Sequence, residues 1–244
     1  MSIASDVIEE NTRIGTGVTL MREKLDSQGK AWYNDDDLHT LIDRYKCFYL
    51  DPCRVDRRSL YSSGGYVRAT YSNEGYYILT QQIQGTFGYL NLKDTYFPDE
   101  CVIECECYFG TALSSNNQLR VGLYNRSNDY KGVVGNIYSS GGVDIRFGRA
   151  CASLTTEYWT DRAVTSDKTL SPYVWYKLKI VITKSDVSLE LFNSNGSSMG
   201  GVGCAMRSNV LGDLNELCIE KCYAEDSMMR VRNIKVYDID YLWF

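Results

Sequence analysis

The run from Val174 to Phe192, VWYKLKIVITKSDVSLELF, leaves a folding chain little choice. Tyr176, Leu178, Ile180 and Ile182 fall on one phase of a two-residue period, while Trp175, Lys177, Lys179 and Thr183 fall on the other. Successive side chains of extended backbone point to opposite faces, so the pattern predicts a half-buried strand. Lys184-Ser185-Asp186 interrupts it, and Val187, Leu189 and Leu191 then alternate with Ser188 and Glu190. Two strands joined by a short polar turn make an antiparallel hairpin with one apolar face. A hairpin does not hold such a face alone; a second apolar sheet has to cover it.

Most of the remaining chain reads as that cover. Strands are expected at 65–71, 75–83, 87–92, 101–109, 118–125, 132–139, 142–149, 154–160, 216–223 and 229–239, punctuated by Gly, Ser and Asn. With no helical period between them, they predict an all-β sandwich or barrel. In the last strand Met229 and Val231 share one phase and Ile234 and Val236 the other, so a bulge is expected near Arg232-Asn233. No fixed repeat appears, which argues against propellers and solenoids. In CVIECECYF, Cys101, Ile103, Cys105, Cys107 and Phe109 share a phase and read as core, with Glu104, Glu106 and Tyr108 outside. Zinc would need paired Cys-x-x-Cys hooks or several histidines, whereas the nine cysteines are otherwise spaced and His39 is the one histidine.

Residues 1–46 follow another rule and are expected to form a helical attachment or oligomerisation segment ahead of a sandwich spanning 47–244. Val7, Ile14, Val18, Met21 and Leu25 recur at helical intervals among Glu9, Glu10, Arg13, Arg22, Glu23 and Lys24. Gly15 and Gly17 each weaken such a helix by about 1 kcal/mol. Too thin to fold alone, it packs on the β domain or on copies of itself; a dimeric or trimeric coil through residues 7–25, hence a homo-oligomer, is the favoured expectation. A second short helix, NDDDLHTLIDRY, is expected to be capped by Asn34 or Asp35, with Leu38, Leu41, Ile42 and Tyr45 as its apolar stripe and His39 solvated opposite.

Charge narrows the partners. The net charge is −5, from 26 basic and 31 acidic residues, without a Lys/Arg cluster dense enough to follow a phosphate backbone, so nucleic acid is not expected. No apolar run approaches the roughly 18 residues of a membrane span, and MSIASDVIEENTRIG lacks the basic start and apolar core of a secretory signal. Cytoplasmic synthesis, which suits free thiols, is therefore expected.

The C-terminal third carries a resemblance. WYKLKIVIT, the turn and strand VSLELFNSNG and the closing strand RNIKVYD resemble the concanavalin A-like lectin/glucanase jelly-roll superfamily, of the laminarin-binding or LamG-like type. It covers residues 174–240 and, by strand count, reaches back to about residue 50. It implies a two-sheet antiparallel jelly-roll sandwich with a curved face on which members hold glycans. Members often carry an Asp-Asn pair before the closing strand, the Asp binding structural calcium. Here Arg232-Asn233 stands there, which puts that calcium in question, and no cofactor is expected. Glycosidase members place Glu-x-Asp-x-x-Glu on one strand so that an acid and a nucleophile flank one bond. The nearest match, Glu104-Cys105-Glu106, lacks the Asp and the distal Glu, so no catalytic residue is assigned and an enzyme is not expected. The N-terminal strings ENTRIGTGV, MREKL and SQGK, with Leu38-x-x-Leu41-Ile42, are similar to the helical lead-in of tail-associated or adhesion proteins of phages and proviruses.

These readings together imply a non-catalytic carbohydrate or cell-surface binding module of a phage or provirus tail-associated or adhesion protein, displayed on a virion or cell surface, with a glycan or cell-wall polysaccharide as partner. The alternative is a purely structural or assembly protein of a virion; a glycoside hydrolase or lyase is disfavoured. A sugar site combines an aromatic plate with planar hydrogen-bonding side chains. LYNRSNDY, GVDIRFGR and TTEYWTD have that mixture and supply the candidates Tyr124, Asn125, Asp144, Arg146, Tyr158 and Trp159. With Val143, Ile145 and Phe147 in the core, Asp144 and Arg146 are expected side by side on an exposed face. YNRSNDYKG and FNSNGSSMGG read as turns before they read as calcium loops. The terminal residues 241–244 are expected to dock on the sandwich or on a neighbouring subunit.

Overall fold

The structure, a computed structural model, describes residues 3–28, 30, 32–65, 67–81, 87–92, 97–98, 100–110, 118–124, 132–138, 142–148, 159–165, 170–206, 216–222 and 228–240. Two helices, α1 (Ile3–Ser27) and α2 (Leu38–Lys46), lead into β1 (Cys47–Asp51), β2 (Tyr61–Gly65), β3 (Val67–Ser72), β4 (Tyr76–Gln81), β5 (Phe87–Leu92) and β6 (Cys101–Phe109). Then follow β7 (Gln118–Tyr124), β8 (Gly132–Tyr138), β9 (Val143–Gly148), β10 (Trp159–Thr165), β11 (Trp175–Ile182), β12 (Asp186–Phe192), β13 (Ser198–Ala205), β14 (Glu216–Cys222) and β15 (Met229–Tyr237). Among the described residues they form two antiparallel sheets. One runs β13-β12-β11-β6-β15-β4-β3, with β1 also on β15; the other runs β10-β9-β8-β7-β14-β5-β2.

The hairpin behaves as its alternation requires. Leu178 pairs with Leu191 and Ile180 with Leu189 across β11 and β12, and all four are buried. On the other side of β11, Tyr176, Leu178 and Ile180 face Cys107, Cys105 and Ile103 of β6, so the cysteine phase of that strand is core. Burial pushes the Cys105 thiol up to about 12, which keeps it neutral and apolar in character. Among the described residues Cys47, Cys53, Cys105 and Cys107 are free thiols. Leu119, Val121, Leu123, Val133, Ile137, Val143, Ile145 and Ile219 supply the opposing inner face. The sheets meet closely at Gly135, where a Cβ would stand 2.5 Å from Leu189 Cδ1 and 2.8 Å from Ile180 Cδ1.

The bulge in β15 lies where the phase change puts it. Its pairing with β6 shifts register between Arg232 and Lys235, and Asn233 adopts φ 51. The extra residue returns Ile234 and Val236 to the core beside Met229 and Val231, and it lets one edge of β15 serve β4 first and β1 afterwards.

Several elements differ from expectation. Half of FNSNGSSMGG is strand: Asn193–Gly196 closes a tight turn through Gly196 N to Asn193 O (2.9 Å), and β13 follows, its glycines having masked the period. Cys47–Asp51 and Tyr61–Gly65, too short or too glycine-rich to show alternation, are also strands. The strand expected at 154–160 is observed as Trp159–Thr165, and residues 151–158 lie outside the described set, as do residues 241–244. Helix α2 starts later than expected. Asp37, not Asn34 or Asp35, caps it by accepting Thr40 N at 2.8 Å, because Asp35 and Asp36 are engaged elsewhere. That hydrogen bond, followed by Arg54 at 2.9 Å, holds the Asp37 carboxyl down to about 2.

Asp36, with Asp35 at its exposed rim, belongs to a largely buried network that fastens the helical segment to the sandwich. Asp36 takes a bidentate pair from Arg44 at 2.5 and 3.0 Å, and Arg44 also donates to Leu50 O at 2.6 Å. Arg57 reaches Asp35 and Asp51, both at 3.3–3.4 Å, and lies 3.8 Å over the ring of Tyr33. Asp51, with no exposed area, also accepts Tyr77 OH at 2.7 Å, Tyr61 OH at 3.2 Å and Cys53 N at 2.9 Å. Helix α1 meets this assembly at Leu25, which is buried, whereas Ile14 and Leu20 are 44% and 54% exposed.

Candidate functional site

On β7, β8, β9 and β14 Gln118, Arg120, Asn136, Tyr138, Asp144, Arg146, Glu216 and Glu220 alternate with the core residues, so they share the outward face of the seven-stranded sheet; Lys221, also buried, falls on the inward phase. The ladder registers align Glu220, Arg120, Asn136 and Asp144 in one row across β14, β7, β8 and β9. All four are fully buried. Arg120 lies 3.5 Å from Glu220 and donates to Gln118 Oε1 at 3.0 Å, and Asn136 Nδ2 donates to the same oxygen at 3.2 Å. Beside the row, Arg146 Nε sits 3.1 Å from Asp144, Tyr138 OH donates to Asp144 at 2.6 Å, and Arg146 Nη2 donates to the Tyr138 oxygen. Burial, then the hydrogen bond to Asp144, raises the Tyr138 phenol above its usual range, so it remains a donor. Asn91 donates to the Tyr124 hydroxyl at the neighbouring position.

Of the six residues expected from sequence, this sheet brings Tyr124, Asp144 and Arg146 to one face and places the backbone of Trp159 at the head of its edge strand β10, opposite Gly148. Asn125 and Tyr158 lie outside the described residues, as does the side chain of Trp159. The expectation that Asp144 and Arg146 are exposed is corrected: Asp144 has no exposed area and Arg146 is 7% exposed. Their ion pair is therefore a buried one, whose desolvation is large and whose integrity matters far more than that of a surface pair. Alternation tells which phase enters the core; it does not tell whether the other phase is wet. Sequence reasoning missed Gln118, Arg120, Asn136, Tyr138 and Glu220, although QLRVGLY, GVVGNIY and ELCIEKC each carry them on the phase opposite the apolar residues.

Two amide oxygens on this face, Asn136 Oδ1 and Asn91 Oδ1, are buried and accept no hydrogen bond among the described residues. An unanswered buried acceptor costs about 1–3 kcal/mol. A ligand hydroxyl or a water molecule would answer either one, and neutral amides beside a Tyr and an Arg suit hydroxyl-rich ligands.

The other carboxylate pair sits on the outward face of the opposite sheet, at a cleft of about 250 Å³ under α2 lined by His39, Asp43, Glu104, Glu106, Lys177 and Lys235. Glu104 accepts from Tyr237 OH at 2.8 Å and pairs with Lys177 at 3.0 Å; Glu106 accepts from Arg232 Nε and Asn233 Nδ2, both at 2.7 Å. Each carboxylate is thus committed to a cation and to a neutral donor. Where the resemblance implies calcium, Arg232 puts a guanidinium against Glu106, and no group of three or more His, Cys, Asp or Glu among the described residues is arranged to hold a metal ion. The residues do not fit that ion.

No protein-family profile and no curated protein matches the sequence. Solved structures of similar architecture include the Ca2+-bound exoplasmic/lumenal domain of VIP36, with TM-score 0.57 and 8% identity over 78% of this chain and 89% of that one. Lectin I from Ulex europaeus, in complex with the methyl glycoside of α-L-fucose, aligns with TM-score 0.54 and 10% identity over 77% and 95%. A Bacillus subtilis protein with a galectin-like fold gives 0.55 and 13% over 79% and 96%. The fold is thus the two-sheet lectin-like jelly roll, with two helices ahead of it.

Proposed function

We propose that the chain is a non-catalytic carbohydrate-binding module whose ligand, a glycan or cell-wall polysaccharide, is held at the outward face of the seven-stranded sheet. The observation that carries this reading is the buried polar row, with the amide oxygens of Asn136 in it and Asn91 on the same face unanswered among the described residues, on a lectin-like framework. Burying Arg120, Glu220, Asp144 and Arg146 costs stability that an apolar face would not, so a polar purpose for the face is the economical account. Tyr138 is half-buried and belongs with Trp159 to the residues that meet the sugar; Asp144 and Arg146 fix Tyr138, and Tyr124 is fixed by Asn91. With both Glu104 and Glu106 tied to cations, hydrolysis is not part of the proposal. The helical lead-in supports the wider setting, a tail-associated or adhesion protein of a phage or provirus, oligomeric through residues 7–25 and displayed on a virion or cell surface.

The test is a glycan array probed with the full chain. A signal is expected that Trp159→Ala and Tyr138→Phe each weaken, the first by about tenfold, as the loss of one aromatic plate predicts, with circular dichroism unchanged. A second reading, a structural or assembly protein of a virion, is favoured by one observation: the four residues of the row have no exposed area. An array silent for the full chain, together with intact folding, would replace the first reading by the second.

A further inference from the structure

The outward face of the eight-stranded sheet carries side chains that the proposal above leaves unused. Tyr108 of β6 and Tyr76 of β4 flank Trp175 of β11, with ring centroids 5.3 and 5.8 Å from it. Tyr173 extends this ladder beyond the start of β11, 6.4 Å from Tyr108 and edge-on to it. Two arginines of β15 are threaded between the rings. Arg232 lies 4.0 Å over Trp175 and gives its Nε to Glu106, so its charge is answered. Arg230 is held between Tyr76 and Tyr108, 4.7 and 4.5 Å from their centroids. Among the described residues it makes no hydrogen bond or ion pair, and its Nε is buried without an acceptor.

Tyr173 is held in a manner unlike that of an ordinary surface tyrosine. Its φ is 64, in the left-handed region that bulky residues avoid, its N–H is tied to Phe109 O at 2.9 Å, and its side chain stands in solvent with the residue 62% exposed. Backbone strain of this kind persists where the surroundings over-determine it, and it collects at sites of binding.

We propose that this face binds an acidic saccharide, a pyranose bearing a carboxylate such as a uronic or sialic acid residue. The carboxylate meets the Nη fork of Arg230, whose direction is fixed by the rings on either side, and a sugar face lies along Tyr173 and Tyr108. A guanidinium that lacks an internal carboxylate is the feature that selects an acidic sugar over a neutral one, and its planar fork suits a bidentate carboxylate. The aromatic neighbours supply apolar area without competing for the anion. This inference stands on the β4, β6, β11 and β15 face alone and does not depend on the opposite sheet.

Titration calorimetry of the full chain with trigalacturonate and with sialyllactose tests it, against methyl-esterified trigalacturonate and lactose as the neutral counterparts. At least one acidic sugar is expected to bind, its neutral counterpart about tenfold more weakly or not at all, and added salt is expected to weaken the acidic sugar. Arg230→Gln should lower its affinity by about tenfold or more, the loss of a charged hydrogen-bonding pair. Tyr173→Gly carries the decision, because glycine accepts the observed φ: affinity should fall while the melting temperature stays level or rises. Failure of both acidic sugars to bind, equal binding of acid and ester, or undiminished binding in Tyr173→Gly would overturn the proposal. So would binding of an aspartate-rich peptide, or self-association, through this face without any sugar binding.

Discussion

At position 135 a hydrogen atom is all that the space between the sheets admits. A Cβ there would press on Leu189 Cδ1 and Ile180 Cδ1, both side chains of the hairpin core. Gly135→Ala should therefore destabilise the protein by about 1–3 kcal/mol, the cost of one methyl forced into a packed interior, measured by urea unfolding. Because Leu189 Cδ1 is the nearest obstacle, Gly135→Ala and Leu189→Val should together cost less than the sum of the single losses. Strict additivity would mean that the sheets part as a body instead of being held apart by that one methyl group. The inward phase of GVVGNIY announced a strand; the tight contact at its middle glycine had no mark in the sequence, since proximity across sheets is a property of register and not of period.

At the scale of the element, the two glycines of α1 have different environments. A Cβ at Gly15 meets nothing within 4 Å among the described residues, whereas one at Gly17 meets Leu38 Cδ2 at 3.1 Å, where α2 crosses α1. Gly15→Ala should raise helix stability by about 1 kcal/mol, and Gly17→Ala should gain less or lose, as read by thermal unfolding of the full chain. Equal gains would deny the crossing. Strands of strict alternation, β6, β11, β12 and the bulged β15, were legible because each buries one phase on a continuous core. β13 was not, because glycines at 200, 201 and 203 carry no side chain with which to show a period. The late start of α2 was hidden for another reason: four polar residues, Asn34 to Asp37, are each competent to cap, and only the distant Arg44 and Arg57 decide which of them are withdrawn.

For the whole molecule, the question is how the lead-in is joined to the sandwich. Removal of residues 1–29 deletes a helix on which Ile14 and Leu20 are exposed, and it should leave the sandwich folded while reducing the mass seen by light scattering to that of a monomer. Removal through residue 46 takes away Tyr33, Asp35, Asp36 and Arg44 as well, and it leaves Arg57 buried with Asp51 as its remaining carboxylate. That second deletion should cost several kcal/mol more, about 3–5, as for a broken buried ion network. An unchanged mass after the first deletion would dismiss the helical coil. Of the candidate site, the strands and their phase were readable from sequence and the burial was not, because alternation decides which phase enters the core and not whether the other phase is wet. The network around Asp51 has one more implication. It runs from α2 into β1, and β1 is hydrogen-bonded to the middle of a sheet through β15. Load taken up by α2 would thus pass into β1 and on to β15, so the lead-in is braced against the sandwich at α2 and not merely strung from it.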